Sequence, residues 1–320
     1  MHIPDGFLSA PVAIACGGLS AGAVAAACAR GRVSRGPGGL ALVGVTAAFV
    51  FAAQMVNFPV AGGTSGHLVG GVLAAVLLGP ADAVVVMTAV LVLQCLVFGD
   101  GGLLALGANV LDMGVVHPLV GFALYRLVAG RGGPKGARGI TAAAFGAWVA
   151  TAAAAATCAG ELALSGVAAP GLLLGSMLAV HAVVGLGEAV ITALVLAAVS
   201  RARPELLSLR AATPPATSVL VPGLVASLGL ALFVSPFACA WPDGLERVVE
   251  RVGLEPSRAH LAAPSLLHGY SIPGLGGGAA STSLAAALGT LAVFAACLGI
   301  GYGLAPRRAP GEPGAPAGRT

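Results

Sequence analysis

Residues 172–200 read LLLGSMLAVHAVVGLGEAVITALVLAAVS. No Lys, Arg or Asp interrupts this stretch, and only His181 and Glu188 can carry a charge. A helix needs about 20 predominantly apolar residues to cross a bilayer, and this run exceeds that on every face. Comparable runs occupy 7–29, 39–60, 67–79, 81–98, 103–125, 140–160, 218–236 and 283–304. The pattern predicts an all-α, polytopic membrane bundle of about nine spans, seven in a first part and two in a C-terminal accessory part. Composition agrees: 58% of the chain is hydrophobic, 9% is charged and the mean hydropathy is +0.97. Soluble domains carry roughly 25% charged residues.

The basic residues divide by span parity. Arg30, Arg32 and Arg35 follow the first run. Arg126, Arg131, Lys135 and Arg138 follow the fifth, Arg201, Arg203 and Arg210 the seventh, and Arg307, Arg308 and Arg319 the last. With nine spans these thirteen share one side, expected to be the cytoplasm. Arg247, Arg251 and Arg258 sit together in one opposite-side loop of about 46 residues. The expected location is a bacterial inner membrane, with Met1 extracytoplasmic and the C-terminus cytoplasmic. The net charge of +4 is spread among these loops and gives no nucleic-acid surface. Residues 1–210 read as a permease domain, 211–216 (Ala-Ala-Thr-Pro-Pro-Ala) as a linker, 217–304 as the accessory domain and 305–320 as a disordered tail. Six single cysteines fall mostly inside apolar runs and read as small buried hydrophobes.

The chain opens Met-His-Ile-Pro-Asp-Gly. No basic n-region precedes an apolar run, so no cleavable signal peptide is expected, and Met1 is expected to persist beside the bulky His2. A free amine, the next amide nitrogen and that residue's Nδ1 form fused chelate rings around one ion. Four nitrogens in a plane suit Ni(II), Cu(II) or low-spin Co(II). Zn(II) prefers tetrahedral sites, and Mg(II) and Ca(II) prefer oxygen. Met1 and His2 supply three donors. Span parity puts the loop at 61–67, Ala-Gly-Gly-Thr-Ser-Gly-His, on the same face, so His67 is the candidate fourth. Gln54, Asn57 and Ser65 lie near it as candidate hydrogen-bond partners that fix the ligand loop.

Other polar groups lie at depth. Asn109, Asp112 and His117 share the fifth run, and His181 and Glu188 are two turns apart on the seventh. Ionisable residues inside a membrane are functional candidates, while interhelical hydrogen bonding is the plainer role. Asp112, His181 and Glu188 define an alternative from another class, a stand-alone proton-coupled divalent-metal permease. Gly18, Gly22 and Ala26 form a small-xxx-small stripe suited to helix docking or internal packing. Asp243 and Glu246 have capping-box spacing ahead of an apolar face at Leu245, Val248, Val249 and Val252. So small a loop is expected to lie against the outer surface of the first part. There is no GxxxxGK[ST], and Gly follows the single lysine, Lys135, so no P-loop binds ATP here. There is no HExxH and no obvious general base near His2, so no enzyme is expected.

Met-His-Ile-Pro-Asp-Gly-Phe-Leu at 1–8, Phe-Ala-Ala-Gln-Met-Val-Asn-Phe-Pro-Val at 51–60, Gly-Thr-Ser-Gly-His-Leu at 63–68 and Leu-Gly-Ala-Asn at 106–109 occur in order. Together they resemble the CbiM/NikM family, the substrate-binding membrane subunits of energy-coupling-factor (ECF) transporters for cobalt and nickel. Pro-Asp-Gly-Leu-Glu at 242–246 resembles the small CbiN/NikN-type accessory component, here fused. The resemblance implies a substrate ion, Ni(II) or Co(II), held by the Met1 amine, the His2 amide and imidazole, and the His67 imidazole, with no further cofactor. It also implies an ECF-type transmembrane coupling protein and cytoplasmic ABC ATPases as partners. Asp112 departs from the pattern, where an uncharged Asn or Ser is expected.

Overall fold

The computed structural model describes residues 1–31, 37–130, 136–207, 215–251, 253, 265–276 and 278–304. The tail at 305–320, most of the expected linker and Val252 lie outside the described residues. The main helices are α1 (Ala10–Arg30), α2 (Pro37–Gln54), α3 (Gly71–Leu78), α4 (Pro80–Leu93), α5 (Leu106–Asn109), α6 (His117–Ala129), α7 (Gly136–Leu164), α8 (Pro170–Ala202), α9 (Ala216–Gly229), α10 (Gly244–Arg251) and α11 (Ala279–Leu304). Wide π-helical turns extend α4 to Phe98, join α5 to α6 at Val110–Val116, and extend α9 through Leu230–Val234. The architecture is all-α and multi-pass. Among the described residues, seven helical segments are long and apolar enough to cross a membrane, and α2 is a shorter apolar helix.

Two expected spans are corrected. The run at 39–60 is not one helix, because α2 stops at Gln54 and the chain turns into strand β1 (Phe58–Val60). Pro59 cannot continue a helix. β1 pairs antiparallel with β2 (Thr64–Gly66), in the register Phe58↔Gly66 and Val60↔Thr64. Gly62 and Gly63 take the positive φ angles of the tight connection, +80° and +69°. The run at 67–79 is no spanning helix either. Its helix, α3, has eight residues, about 12 Å against a hydrocarbon core of about 30 Å. All eight are buried, so the non-helical stretch ahead of it lies inside protein, where such backbone is tolerated. The connection still traverses the bundle: His67 sits at the end holding Met1, whereas α4 starts beside Gly31, at the far end of α1.

Small residues set the close approaches. A Cβ on Gly146 of α7 would stand 2.6 Å from the Gly121 carbonyl oxygen of α6. The accessory helices pack on α2: Gly44 receives the Phe294 ring of α11, and Gly223 of α9 receives Val45. The stripe of Gly18, Gly22 and Ala26 does not pack internally; Gly17 is the α1 glycine that meets the bundle, against Gly107. Four of the six cysteines are buried, Cys28 and Cys239 are half-buried, and all are free thiols. Gly146→Ala should destabilise the protein by about 1–3 kcal/mol through overpacking, read as a lower thermal midpoint in detergent.

Candidate metal centre

Segment 1–9 is non-helical and enters the bundle with both backbone groups of Ile3 paired. The Ile3 N–H donates to Asn109 Oδ1 (2.7 Å), and its carbonyl accepts from Asn109 Nδ2 (3.1 Å) and from the Gly102 N–H (2.8 Å). The Asp5 carboxylate accepts from the backbone N–H groups of Leu103 and Leu104. Gly101, at φ +85°, lets the turn pass His2; a Cβ there would stand 2.8 Å from Asn109 Nδ2.

These contacts bury Met1. Its amine donates to Asp243 Oδ2 at 2.7 Å, with the two side chains 3% and 17% exposed. Asp243 also caps α10 through the expected reciprocal pair: Oδ1 accepts from the Glu246 N–H, and Glu246 Oε2 accepts from the Asp243 N–H, both at 2.9 Å. Burial opposes charge on the amine, but the adjacent carboxylate outweighs it and holds the amine above its ordinary 8.0. Burial likewise works against the Asp243 carboxylate, but the amine outweighs it and holds the group below its usual range.

His67 leaves β2 with Nδ1 3.0 Å from the Leu68 carbonyl oxygen. A carbonyl only accepts, so Nδ1 carries the proton and Nε2 keeps its lone pair. Burial, then the charge of the Met1 amine, push His67 down to about 4, and burial lowers His2 as well. Both rings are therefore neutral at neutral pH. They stack with centroids 5.7 Å apart and planes 22° apart. His2 Nδ1 lies 3.2 Å from Asp100 Oδ1, and Asp100 Oδ2 accepts from the Tyr270 hydroxyl at 2.6 Å. His2 Nε2 is buried with no hydrogen-bond partner.

The amine and both imidazoles thus share one corner without converging on a single point. The amine faces Asp243 and His2 Nδ1 faces Asp100. Among the described residues, no cluster of three His, Cys, Asp or Glu side chains is arranged to hold a metal; this donor set draws on the chain terminus and backbone instead.

The other candidates fall around this corner. Gln54 Nε2 donates to the Val69 carbonyl (2.7 Å), and Gln54 Oε1 accepts from Gln94 (2.8 Å). Ser65 reaches the accessory part, its Oγ donating to the Trp241 carbonyl (2.7 Å) and its N–H to that of Pro242 (2.8 Å). Asn57 contributes its backbone carbonyl, which accepts from the Cys239 N–H at 2.8 Å. The accessory loop lies on the first part, as its size requires. His181 lines a cavity with Met1, His67, Thr151 and Asp243, its Nδ1 donating to the Met177 carbonyl. Glu188 is elsewhere: its carboxylate accepts from the Val69 and Gly70 N–H groups and lies 3.6 Å from His117 Nε2. Asp112 is fully buried beside Glu161, whose Oε1 accepts from the Cys16 thiol. Asp112 is thus grouped with Glu161 and Cys16, whereas Thr151, on the lining of the His181 cavity, stands 3.5 Å from the His117 Nε2 that neighbours Glu188.

Sequence reasoning missed the roles of Asp243, Asp100, Tyr270 and Asn109 at the corner. Asp243 was visible as a helix cap, which it is, and that role masked its second one.

Compared with known proteins, residues 2–206 match the family described as the CbiM cobalt uptake substrate-specific transmembrane region. This chain belongs to that family. Residues 217–306 match the PDGLE domain. A putative fused nickel transport protein, NikMN, of Archaeoglobus fulgidus is 36% identical, the alignment covering 92% of this chain and 96% of the relative. A putative metal transport protein of Haloquadratum walsbyi is 41% identical over 65% of this chain and 93% of its own length. The crystal structure of a truncated transition metal transporter is 33% identical and superposes with a TM-score of 0.56, over 63% of this chain and 99% of that one. Relatives of this CbiM chain are named as transport proteins, in keeping with a transporter and not an enzyme.

The ion pair sets a pH window. A raised amine pKa stabilises docking below pH 8.0, and that contribution is lost as pH rises through the raised value. A lowered carboxylate pKa stabilises it above pH 3.8, with loss as pH falls through the lowered value. At pH 7 the pair is intact. Asp243→Asn should then speed hydrogen exchange at Ser65 and along α10, whereas the wild type should show this only at strongly alkaline or acid pH, after correction for intrinsic rates.

Proposed function

We propose that this chain is the substrate-capture subunit of an ATP-driven ECF-type importer for Ni(II) or Co(II). The substrate is bound by four nitrogens: the Met1 amine, the His2 amide and Nδ1, and a ring nitrogen of His67. The observation carrying this reading is the burial of the chain's amine at one corner with two stacked, neutral imidazoles. The free ring nitrogen of His67 is Nε2, because Leu68 engages Nδ1. Ligation requires the amine to leave Asp243, which stands at hydrogen-bonding distance to take its proton, and His2 Nδ1 to leave Asp100; the neutral His2 ring loses no proton, its single N–H residing on Nε2 when Nδ1 ligates. Strong-field divalent ions drive the remaining step, loss of the His2 amide proton.

Release follows from reorientation of the bundle by partners: a transmembrane coupling protein and cytoplasmic ABC ATPases, acting from the end of the bundle bearing the basic loops. The membrane is a bacterial inner membrane, the Met1 end extracytoplasmic and the C-terminus cytoplasmic. The accessory part meets the donors twice, through Asp243 on Met1 and through Tyr270 on Asp100, which supports a role in loading the ion.

His67→Ala, or one extra residue ahead of Met1, should abolish stoichiometric metal binding by purified protein while leaving its elution from size exclusion unchanged. Wild-type binding in both variants refutes the site. Because both imidazoles are neutral already, the amine is the side of the site still protonated at pH 7. Nickel affinity should therefore rise steadily from pH 6 to pH 9, and competition with a chromophoric chelator would show a plateau near pH 7 if the imidazoles were limiting.

A further inference from the structure

Glu188 is fully buried at mid-length of α8, and the capture reading gives it no task. Its Oε2 accepts from the Val69 N–H at 2.6 Å and its Oε1 from the Gly70 N–H at 2.9 Å. The Val69 N–H and the Leu68 C=O belong to one peptide unit, which is planar and rigid. That carbonyl accepts the proton of His67 Nδ1 at 3.0 Å. A carboxylate, one peptide plane and an imidazole are therefore connected in series.

We infer that Glu188 is the positioning residue for His67: it fixes the Leu68–Val69 peptide, and through it the tautomer and direction of the ring. Metal-bound histidines commonly give their second ring proton to a carboxylate or carbonyl, which fixes the ring and raises its basicity. Here the peptide passes the carboxylate's pull along, since hydrogen bonds in series polarise one another. The rest of the neighbourhood holds the same peptide segment. Gln54 takes the Val69 carbonyl. Gly70, at φ +81°, turns both N–H groups toward Glu188. His117 Nε2 stands 3.6 Å from Glu188 Oε1. The same helix seats the hairpin before His67, with Val184 against Gly66 and Gly187 against the Phe58 ring. A displacement of α8 along its axis therefore acts on both sides of His67.

This inference rests on His67 being a ligand, and the test separates the two claims. In full-length purified protein, Glu188→Gln keeps the shape but replaces one accepting oxygen with an NH2 group that cannot accept from an N–H. Nickel affinity should fall about 10–100-fold, the usual range for a partner behind a ligand, with elution from size exclusion unchanged. The metal-free protein gives a second readout: Glu188→Gln should change the 15N tautomer signature of the His67 ring, while His181, bonded to the Met177 carbonyl on the same helix, should keep its own. Wild-type affinity in Glu188→Gln, or an unchanged His67 ring signature, overturns the inference while leaving the site intact. Wild-type affinity in His67→Ala removes the site itself. Should Glu188→Gln fail to fold, hydrogen exchange of the wild type decides: nickel should slow exchange at Val69 and Gly70, and no change there overturns the inference.

Discussion

A buried ammonium group survives only beside a carboxylate, and the contact between the Met1 amine and Asp243 meets that condition across 242 positions of sequence. Taking either charge away would strand the other among apolar side chains, a loss of the order of 3–5 kcal/mol in comparable buried pairs. Much follows from it. The N-terminal segment stays inside the bundle, the accessory loop stays seated on its end, and Ser65 and the loop carrying His67 are held through Trp241 and Pro242.

The same contact explains why the donors sit together without yet forming a coordination sphere. The amine and the His2 ring each face a carboxylate, and those partners occupy the positions an ion would contest. The stacked imidazoles are neutral because burial favours the uncharged form. On the proposed reading, a proton and the cation compete at this corner for the amine.

Much of this was legible in the chain. Apolar runs and the parity of Arg and Lys gave the crossings, and parity alone put Met1 and His67 at the same end. Length of run misled at two places. Hydropathy does not register that the chain leaves its helix at Gln54 for a strand at Phe58, nor that 67–79 is apolar because protein surrounds it rather than lipid. The capping signature of Asp243 and Glu246 was readable as local structure, since capping depends on neighbours three residues apart. The partnerships of Asp243 with Met1, Tyr270 with Asp100 and Glu188 with the Val69 amide were not, because each joins residues more than a hundred positions apart. No local spacing encodes such meetings. Asn109 was noticed as a polar residue at depth, but its use in gripping both faces of Ile3 is a matter of docking.

The accessory loop that carries Asp243 and Tyr270 belongs to the same polypeptide as the corner it covers. Their encounter is thus unimolecular, and joining the two parts in one chain raises the effective concentration of each about the other. A loop so tethered does not need tight intrinsic affinity to be present whenever an ion arrives. One copy of the loop is thereby guaranteed at synthesis for every copy of the corner on which it is seated.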